Sequence, residues 1–590
     1  MSLNIEQASG VARNLLLIPS VLVTRLQADP AVLILLASRR FPSTITLPLL
    51  RNLARVFNTE RSWSPALYEA AAGKTDPLQE RAEQALELPR TERNARFLCK
   101  LADTCVSVGL GDEAQQLLDQ LNNKTSYARR AKARLAAWRG ELSDAIELLD
   151  PSVPGEGYQR RLLEAEYASL TTSSPKIEAE RGYSPIKGRV LHVLTNSLPH
   201  SRSGYAYRTQ AILEAQLEAG LEPQAVTRLG YPALVGQFFA PSYDEIEGIR
   251  YYRQTPLRMR LGLEAKLQQS AEMLAEHVRS FRPAVLHTTT HYVNALVVRA
   301  VAEAFGIPWV YEVRGQLADT WASNRGTWAY ETERYKLFNA REAEMARTAD
   351  AVVTLGEHMK QNLIRVGVDP NNICLCPNAV GQSYTAEPHD THQARHELGL
   401  DPQAQYVGSV TSVVGYEGLD DLLRAAALLA PEFPRLRVLI AGDGAALESL
   451  KNLAASLGIA DRVQFAGRVE KKLAPLYQAA LDVFVVPRKD TLVTRSVTPL
   501  KSVEASALGK PVIVSDIPAL HEVVKDQETG LVATAENPES FARAIAELLE
   551  NPDTAGRLGS AGREWVLETR TWTVNAGTYL GLYRQLDAVN

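Results

Sequence analysis

The chain has 590 residues but only four cysteines and five methionines. Cys99, Cys105, Cys374 and Cys376 form no CxxC pair and no His/Cys cluster with zinc spacing, which excludes a disulfide scaffold and a zinc module. They read as reduced, mostly buried thiols, as expected in the cytosol. No apolar run reaches the ~18 residues needed to cross a bilayer. The opening MSLNIEQASG lacks a basic segment followed by a long apolar stretch, so no secretory signal is expected. A net charge of −4 provides no global basic field, so nucleic acid is not an expected partner.

What remains is ordinary globular material, 45% hydrophobic and 22% charged. At roughly 100–200 residues per domain, the length allows about three to five domains. Residues 1–180 read as an α-helical region. Its apolar runs Leu15–Thr24 and Ala31–Ser38 are short, and the basic residues around them are Arg13, Arg25, Arg39, Arg40, Arg51 and Arg55, against the single acid Asp29. Such runs either lie on an anionic membrane surface or form buried helices with solvated arginines. GDEAQQLL (Gly111–Leu118) and LSDAIELL (Leu142–Leu149) form a weak repeat, each closing a helix pair, with Ala114 and Ala145 in matching places. This resembles tetratricopeptide hairpins. It fits either partner docking or a structural helical cap.

The stretch Thr171–Gly188, polar with two prolines, reads as a linker. Beyond it short apolar strands alternate with helices: RVLHVLT, EPQAVTRLG, AVLHTTT, PWVYEVRG and AVVTLG, then from Gln405 YVGSV, RVLIAGDG, VQFAGR, VFVVPR, PVIVSD and ETGLVA. This rhythm predicts an α/β protein with two doubly wound parallel sheets, whose ligands sit at the carboxyl ends of the strands. AGDG (Ala441–Gly444) is not a GxGxxG fingerprint and does not open the first βαβ unit, so nicotinamide binding is rejected.

VTPLKSVEASALGKPVIVSD (Val497–Asp516) carries the chemistry. Thr498 suits an N-cap and Pro499 the first helical position, predicting a helix to Leu508 closed by Gly509. The helix N-terminus offers free N–H groups to an anion. Lys501, unfavourable there for the helix dipole, fits a diphosphate, and Glu504 one turn on fits a ribose diol. The plain alternative is a surface ion pair worth a few tenths of a kcal/mol, roughly.

Several stretches in order resemble the GT-B retaining glycosyltransferases of family 4, in particular the bacterial branch that builds surface polysaccharides. They are NSLPHSRSGYAYRTQAIL (Asn196–Leu213), VTRLGYP (Val226–Pro232), GIPWVYEVRG (Gly306–Gly315), CPNAV (Cys376–Val380), GYEGLDDLLRAAALL (Gly415–Leu429), AGDG, PRKD, and the Val497–Asp516 stretch continued to LHEVV. The resemblance covers Arg189 to the C-terminus. It implies an acceptor domain at 185–385, a nucleotide-sugar donor domain at 386–570, and a helix at 571–590 crossing back to the first. It also implies a UDP-sugar donor without cofactor or metal, and a glycan or lipid-linked acceptor at the inner face of the plasma membrane. Residues 1–180 would contact membrane or a protein partner.

By the same resemblance Glu504 is the second glutamate of an E-x7-E pattern and holds the ribose. Lys501, Arg488 and Thr498 are expected at the diphosphate, with Gly204 approaching it from the N-terminal side. Glu312, Arg314 and His287, each near the end of a buried strand, are the candidate catalytic residues. For each, a structural role stands as the alternative; for Gly204 it is an ordinary tight turn. The chain departs from the family at three places: Ser496 replaces the first glutamate, Glu417-Gly418 the usual Lys-Gly, and Ser409 the usual arginine. Those departures keep open a non-catalytic scaffold reading. A GT-B epimerase or phosphorylase is the third.

Overall fold

The computed structural model describes residues 10–17, 19, 43–56, 62–89, 91–323 and 325–590. The run Ala31–Ser38, most of Leu15–Thr24, and Arg25, Arg39 and Arg40 lie outside the described residues.

Up to Thr171 the described chain is helical. Helices Glu92–Ser107 and Gly111–Asp119 form one pair, and Ser126–Arg139 and Leu142–Glu147 the next. Ala114 and Ala145 are both fully buried. At Gly111 a Cβ would stand 2.3 Å from the Trp138 ring, so only glycine lets the two pairs approach this closely. Ion pairs brace alternate helices, from Ser126–Arg139 to Glu92–Ser107 and to Pro154–Thr171: Arg134 is bidentate to Asp103, and Arg129 to the fully buried Glu156. The helical region docks on the domain that follows it. Arg334 N donates to Gly140 O (2.8 Å), Ser143 N to Glu333 Oε2 (2.8 Å), and Arg341 Nε to Ser169 O (3.1 Å).

The first sheet comprises β1 (Ile186–Leu194), β2 (Glu222–Thr227), β3 (Tyr243–Ile246), β4 (Ile249–Arg253), β5 (Pro283–Thr289), β6 (Trp309–Val313), β7 (Ala351–Thr354) and β8 (Ile373–Leu375), in the order β3-β4-β2-β1-β5-β6-β7-β8. All neighbours are parallel except the β3–β4 hairpin. The second comprises β9 (Gln405–Val410), β10 (Leu436–Ala441), β11 (Val463–Gly467), β12 (Val483–Val486), β13 (Val512–Ser515) and β14 (Leu531–Ala533), ordered β11-β10-β9-β12-β13-β14 and wholly parallel. Its order is the doubly wound 3-2-1-4-5-6 arrangement, whose topological switch point lies between β9 and β12. Strands apolar on both sides, such as Val-Phe-Val-Val in β12, are what a sheet covered by helices on both faces requires.

The last helix, Trp572–Gln585, packs on the first sheet rather than the second. Tyr579, Leu582 and Tyr583 share a core with Val190, Val285, Val310 and Val353. Where the chain crosses between domains, its two passages pair. Val380 N donates to Arg570 O (2.8 Å) and Trp572 N to Val380 O (3.3 Å).

Candidate active site

Residues that follow the carboxyl ends of the two sets of strands meet across a cleft. Asn378 Nδ2 donates to Thr498 O (2.8 Å) and to Asn362 is joined Ser496, whose Oγ accepts from Asn362 Nδ2 (3.2 Å). Glu522 accepts from the N–H groups of Glu357 and His358 (2.8 and 2.9 Å), capping the helix Glu357–Arg365 from the opposite domain.

On the C-terminal side the helix runs Leu500–Ala507 and ends at Gly509, φ +73°. It starts one residue later than the sequence reading placed it. Pro499 is extended (φ −75°, ψ 142°) and takes the cap position without a side-chain cap. Thr498 therefore precedes the helix, and its buried hydroxyl finds no protein partner. Lys501 Nζ donates to Glu504 Oε2 at 2.8 Å; the lysine side chain is 35% exposed and the glutamate 6%. This is not a plain surface pair, because the carboxylate is held inside. Gln478 Nε2 also donates to Glu504 Oε2 (3.3 Å). Burial and the Glu504 carboxylate together push the Tyr384 hydroxyl well above its ordinary pKa.

The geometry corrects the expectation for Arg488. Its fork is closed on Glu417 through Nε (3.2 Å) and Nη2 (2.8 Å), and Nη1 donates to Val497 O (3.0 Å). A bidentate carboxylate occupies the face a phosphate would use. Arg488 thus positions the loop leading to Thr498, and Glu417 supplies its counter-charge. Gly418 has φ +69°, and a Cβ there would lie 1.8 Å from Pro487 O. This glycine is required by backbone packing. Ser496, in place of the first glutamate, lies on the domain interface through its bond to Asn362.

On the N-terminal side Gly204 opens the helix Gly204–Glu218, capped by Ser203, whose side chain accepts from Ala206 N. A Cβ on Gly204 would meet no atom within 4 Å, so the position faces open space rather than a tight turn. Tyr207 on this helix carries Lys471 of the opposite domain 4.3 Å from its ring centroid. Lys471 lies within electrostatic reach of Glu504, Glu214 and Lys501. Sequence reasoning missed Lys471 and Tyr207. The available signal was KKL (Lys471–Leu473) in the loop that follows β11, beyond the strand end where ligands are expected.

The three residues read as catalytic come together, but in the interior. Glu312 on β6 and His287 on β5 are fully buried, and Arg314 is 3% exposed. Glu312 Oε2 accepts from Arg314 Nη2 (2.8 Å), and Oε1 from Arg208 Nη2 (2.9 Å) and the Tyr579 hydroxyl (3.3 Å). His287 Nε2 stands 3.3 Å from Glu312 Oε2, its Nδ1 2.8 Å from the Tyr583 hydroxyl, and its ring stacks on His192. Arg208 also donates to Cys376 O (2.6 Å), Pro377 O (3.0 Å) and Asn378 Oδ1 (3.0 Å). Burial opposes ionisation of Glu312, but Arg314 and Arg208 outweigh it and hold the carboxyl well below its usual range. Burial lowers the His287 pKa even beside that carboxylate. With no surface turned to the cleft, His287 and Glu312 are positioning residues. They brace Arg314, whose Nη1 bonds Thr209 Oγ1 (2.7 Å) and Tyr205 O (3.3 Å), and so fix the helix behind Gly204. Arg208, at the centre of this network, was quoted in the sequence motif but given no role. Among the described residues no group of three or more His, Cys, Asp or Glu is placed to hold a metal ion.

Two doubly wound domains facing one another, with a Lys/Glu-bearing helix at the cleft, define a GT-B protein. Residues 203–379 match the family model described as glycosyl transferase 4-like domain, and residues 390–565 that described as glycosyl transferases group 1. Each of these two matches spans under a third of the chain, one over each α/β domain. The GDP-mannose-dependent alpha-(1-6)-phosphatidylinositol monomannoside mannosyltransferase of Mycobacterium tuberculosis is 35% identical over 196 residues, 33% of this chain and 50% of that one. The D-inositol 3-phosphate glycosyltransferase of Rhodococcus jostii is 34% identical over 255 residues, 41% of this chain and 54% of that one. The chain thus spans about half the length of these relatives. Among solved structures, sucrose-phosphate synthase from Thermosynechococcus elongatus aligns with TM-score 0.56 and 22% identity over 68% of this chain and 99% of that one. HepE of Anabaena in complex with UDP aligns with TM-score 0.54 and 15% identity over 67% of this chain and all of that one. These two show the fold.

Proposed function

We propose that the protein is a retaining glycosyltransferase that moves a sugar from a nucleoside-diphosphate sugar to a glycan or lipid-linked acceptor in cell-surface polysaccharide or glycolipid synthesis. Residues 386–570 bind the donor and 185–385 the acceptor. The observation that carries this reading is the Lys501–Glu504 pair at the first turn of a helix that opens on the cleft, opposite the open space at Gly204. Glu504 accepts from the ribose hydroxyls. Lys501, Lys471 and the free N–H groups of the helix stabilise the charge that develops on the departing diphosphate. The acceptor oxygen bonds to the anomeric carbon as the carbon–phosphate oxygen bond breaks, and the acceptor proton passes to the leaving phosphate oxygen. The step uses protein cations and requires no divalent ion.

Relatives whose names specify GDP-mannose and a neighbour solved with UDP make both bases candidates. No helix among the described residues is long and apolar enough to cross a membrane. Contact at the inner membrane face is supported by the helix Ser43–Val56, where Leu49, Leu53 and Val56 are exposed on a segment that also carries Arg51 and Arg55.

The test is a thermal-shift panel of UDP, GDP, ADP and their common sugars, with EDTA present, on wild type and Glu504→Ala. A ligand at 100 times its Kd stabilises the folded protein by about 2.7 kcal/mol. The expected result is a shift with one base, lost in the variant. No shift with any nucleotide from a well-folded sample would favour the scaffold alternative.

A further inference from the structure

The short helix Leu492–Ser496, which follows β12, packs on two helices of the first α/β domain, Leu317–Ser323 and Glu357–Arg365. Beneath that contact lies a cavity of about 450 Å³, within the range of small-molecule pockets. Leu492 and Ser496 line it from the C-terminal domain, and Leu317, Met359 and Leu363 give it apolar surface from the other. Gly315, just past β6, also lines it. A Cβ there would stand 3.0 Å from the Tyr205 hydroxyl and 3.8 Å from Val497 Cγ2. The pocket therefore adjoins both the helix that begins at Gly204 and the loop that leads to Thr498.

Its polar groups suit hydroxyls rather than an anion. Asp319 lines the pocket and is only 5% exposed. Its Oδ1 accepts from the Tyr335 hydroxyl (2.6 Å), and its Oδ2 receives no hydrogen bond among the described residues. One turn earlier Gln316 Oε1 accepts from Asn362 Nδ2 (3.3 Å), while Gln316 Nε2 has no partner among the described residues. A carboxylate oxygen and an amide N–H side by side match the acceptor and donor needs of neighbouring ring hydroxyls. The second carboxyl in the lining, Glu342, accepts from the Tyr311 hydroxyl and from Tyr292 N (2.6 Å). Neither carboxyl meets a cation among the described residues, and burial raises the pKa of both, that of Glu342 to about 7. Two arginines line the pocket, and both are turned to other partners. Arg495 is bidentate on Asp490 (2.5 and 2.7 Å), and Arg365, exposed at the end of its helix, donates to Asn362 Oδ1. The His358 imidazole is the remaining basic group in the lining. A phosphate seated beside Asp319 would meet like charge at close range.

We propose that this pocket receives the terminal sugar of the acceptor as an uncharged, hydroxyl-bearing ring and keeps phosphate out. The word acceptor rests on the glycosyltransferase reading; the binding and its charge selectivity do not. Saturation-transfer difference NMR on the full chain tests it with the methyl α-pyranosides of glucose, galactose, mannose and N-acetylglucosamine. Their 6-phosphates are the charged comparison, and their 6-O-acetyl esters the neutral one of similar bulk. At least one glycoside is expected to saturate, with its 6-phosphate weaker by about tenfold or more and its acetyl ester in between. Asp319→Asn weakens the glycoside several-fold and narrows its advantage over the phosphate. Leu317→Trp and Leu492→Trp, which fill the pocket from opposite domains, remove binding. In all three variants the nucleotide-induced thermal shift that depends on Glu504 is retained. A 6-phosphate that binds as tightly as its glycoside would overturn the charge assignment, and loss of that binding in Arg365→Ala would locate the anion. Equal rejection of phosphate and acetyl ester would reduce the selectivity to size and overturn it as well. Glycoside binding indifferent to both tryptophan variants, or no saturable glycoside binding by a well-folded sample, would overturn the site. Glycoside binding without any nucleotide shift would leave the pocket standing and refute the donor reading instead.

Discussion

Glu312→Gln isolates the charge at the centre of the buried network. The substitution preserves shape and leaves Arg208 and Arg314, 5% and 2% exposed at their side chains, without their shared carboxylate. Removing one partner of a buried ion pair costs about 3–5 kcal/mol; the retained amide oxygen still accepts one hydrogen bond, so the lower end is expected. For a domain of this size each kcal/mol lowers Tm by roughly 2–4 °C, giving a fall of roughly 6–12 °C by scanning calorimetry at pH 7. The pH dependence follows from the depressed carboxyl. The stabilisation from Glu312 is fully present above the unfolded carboxyl value, about 4.3, and is lost as pH falls through the lower folded value. The gap between wild type and variant is therefore constant from pH 7 to 5 and narrows only below about 4. The variant still shows the nucleotide-induced shift, because Glu504 and Lys501 are untouched. A Tm loss under about 2 °C at pH 7, or a gap already closing between pH 7 and 5, would refute the reasoning.

Burial pushes Glu342 up to about 7 against hydrogen bonds from the Tyr311 hydroxyl and the Tyr292 N–H. Its contribution is fully present below about 4.5 and lost as pH rises through 7, so Glu342→Gln matches wild type at pH 4.5 and exceeds it at pH 8 by on the order of 1–3 kcal/mol in urea unfolding. Glu522→Ala removes the cap that joins the domains, costing about 1 kcal/mol and enlarging the radius of gyration of the nucleotide-free protein in small-angle scattering; an unchanged radius would deny Glu522 a latching role. Gly418→Ala forces a Cβ against Pro487 O in a left-handed backbone, with an expected loss above ~2 kcal/mol in the same urea assay.

Much of this architecture was legible because its signals are local. The alternation of short apolar strands with helices gave both sheets, and Gly509 closes its helix as read, at φ +73°. The β3–β4 hairpin was overlooked although YDEIEGIRYYR carries Glu247-Gly248, both at positive φ, at its turn. The site was harder to read because its decisive partners are distant in sequence. Glu417 and Arg488 are 71 residues apart, so Arg488 read as a diphosphate cation and Glu417 as a departure from the family until their pairing appeared. Glu312 was read as a candidate catalytic residue with a structural role as the alternative; its partners Arg208, 104 residues before it, and Tyr579, 267 after, carry no motif that announces the contact. Lys471 acquires its place only through Tyr207 of the other domain.

The seat of the final helix also sets an order of events in the cell. Tyr579 and Tyr583 close the face of the first sheet on which His287 and Glu312 lie, and Gly188 N, at the start of β1, donates to Ala588 O (2.9 Å). The first α/β domain is therefore synthesised early and completed late. During the time that some two hundred further residues emerge at about 5–20 per second, a buried carboxylate and two arginines wait with one wall missing. The C-terminal domain carries no such debt. It can mature while its elder neighbour is still unfinished, and only the segment around Tyr579, Tyr583 and Ala588 completes the first domain.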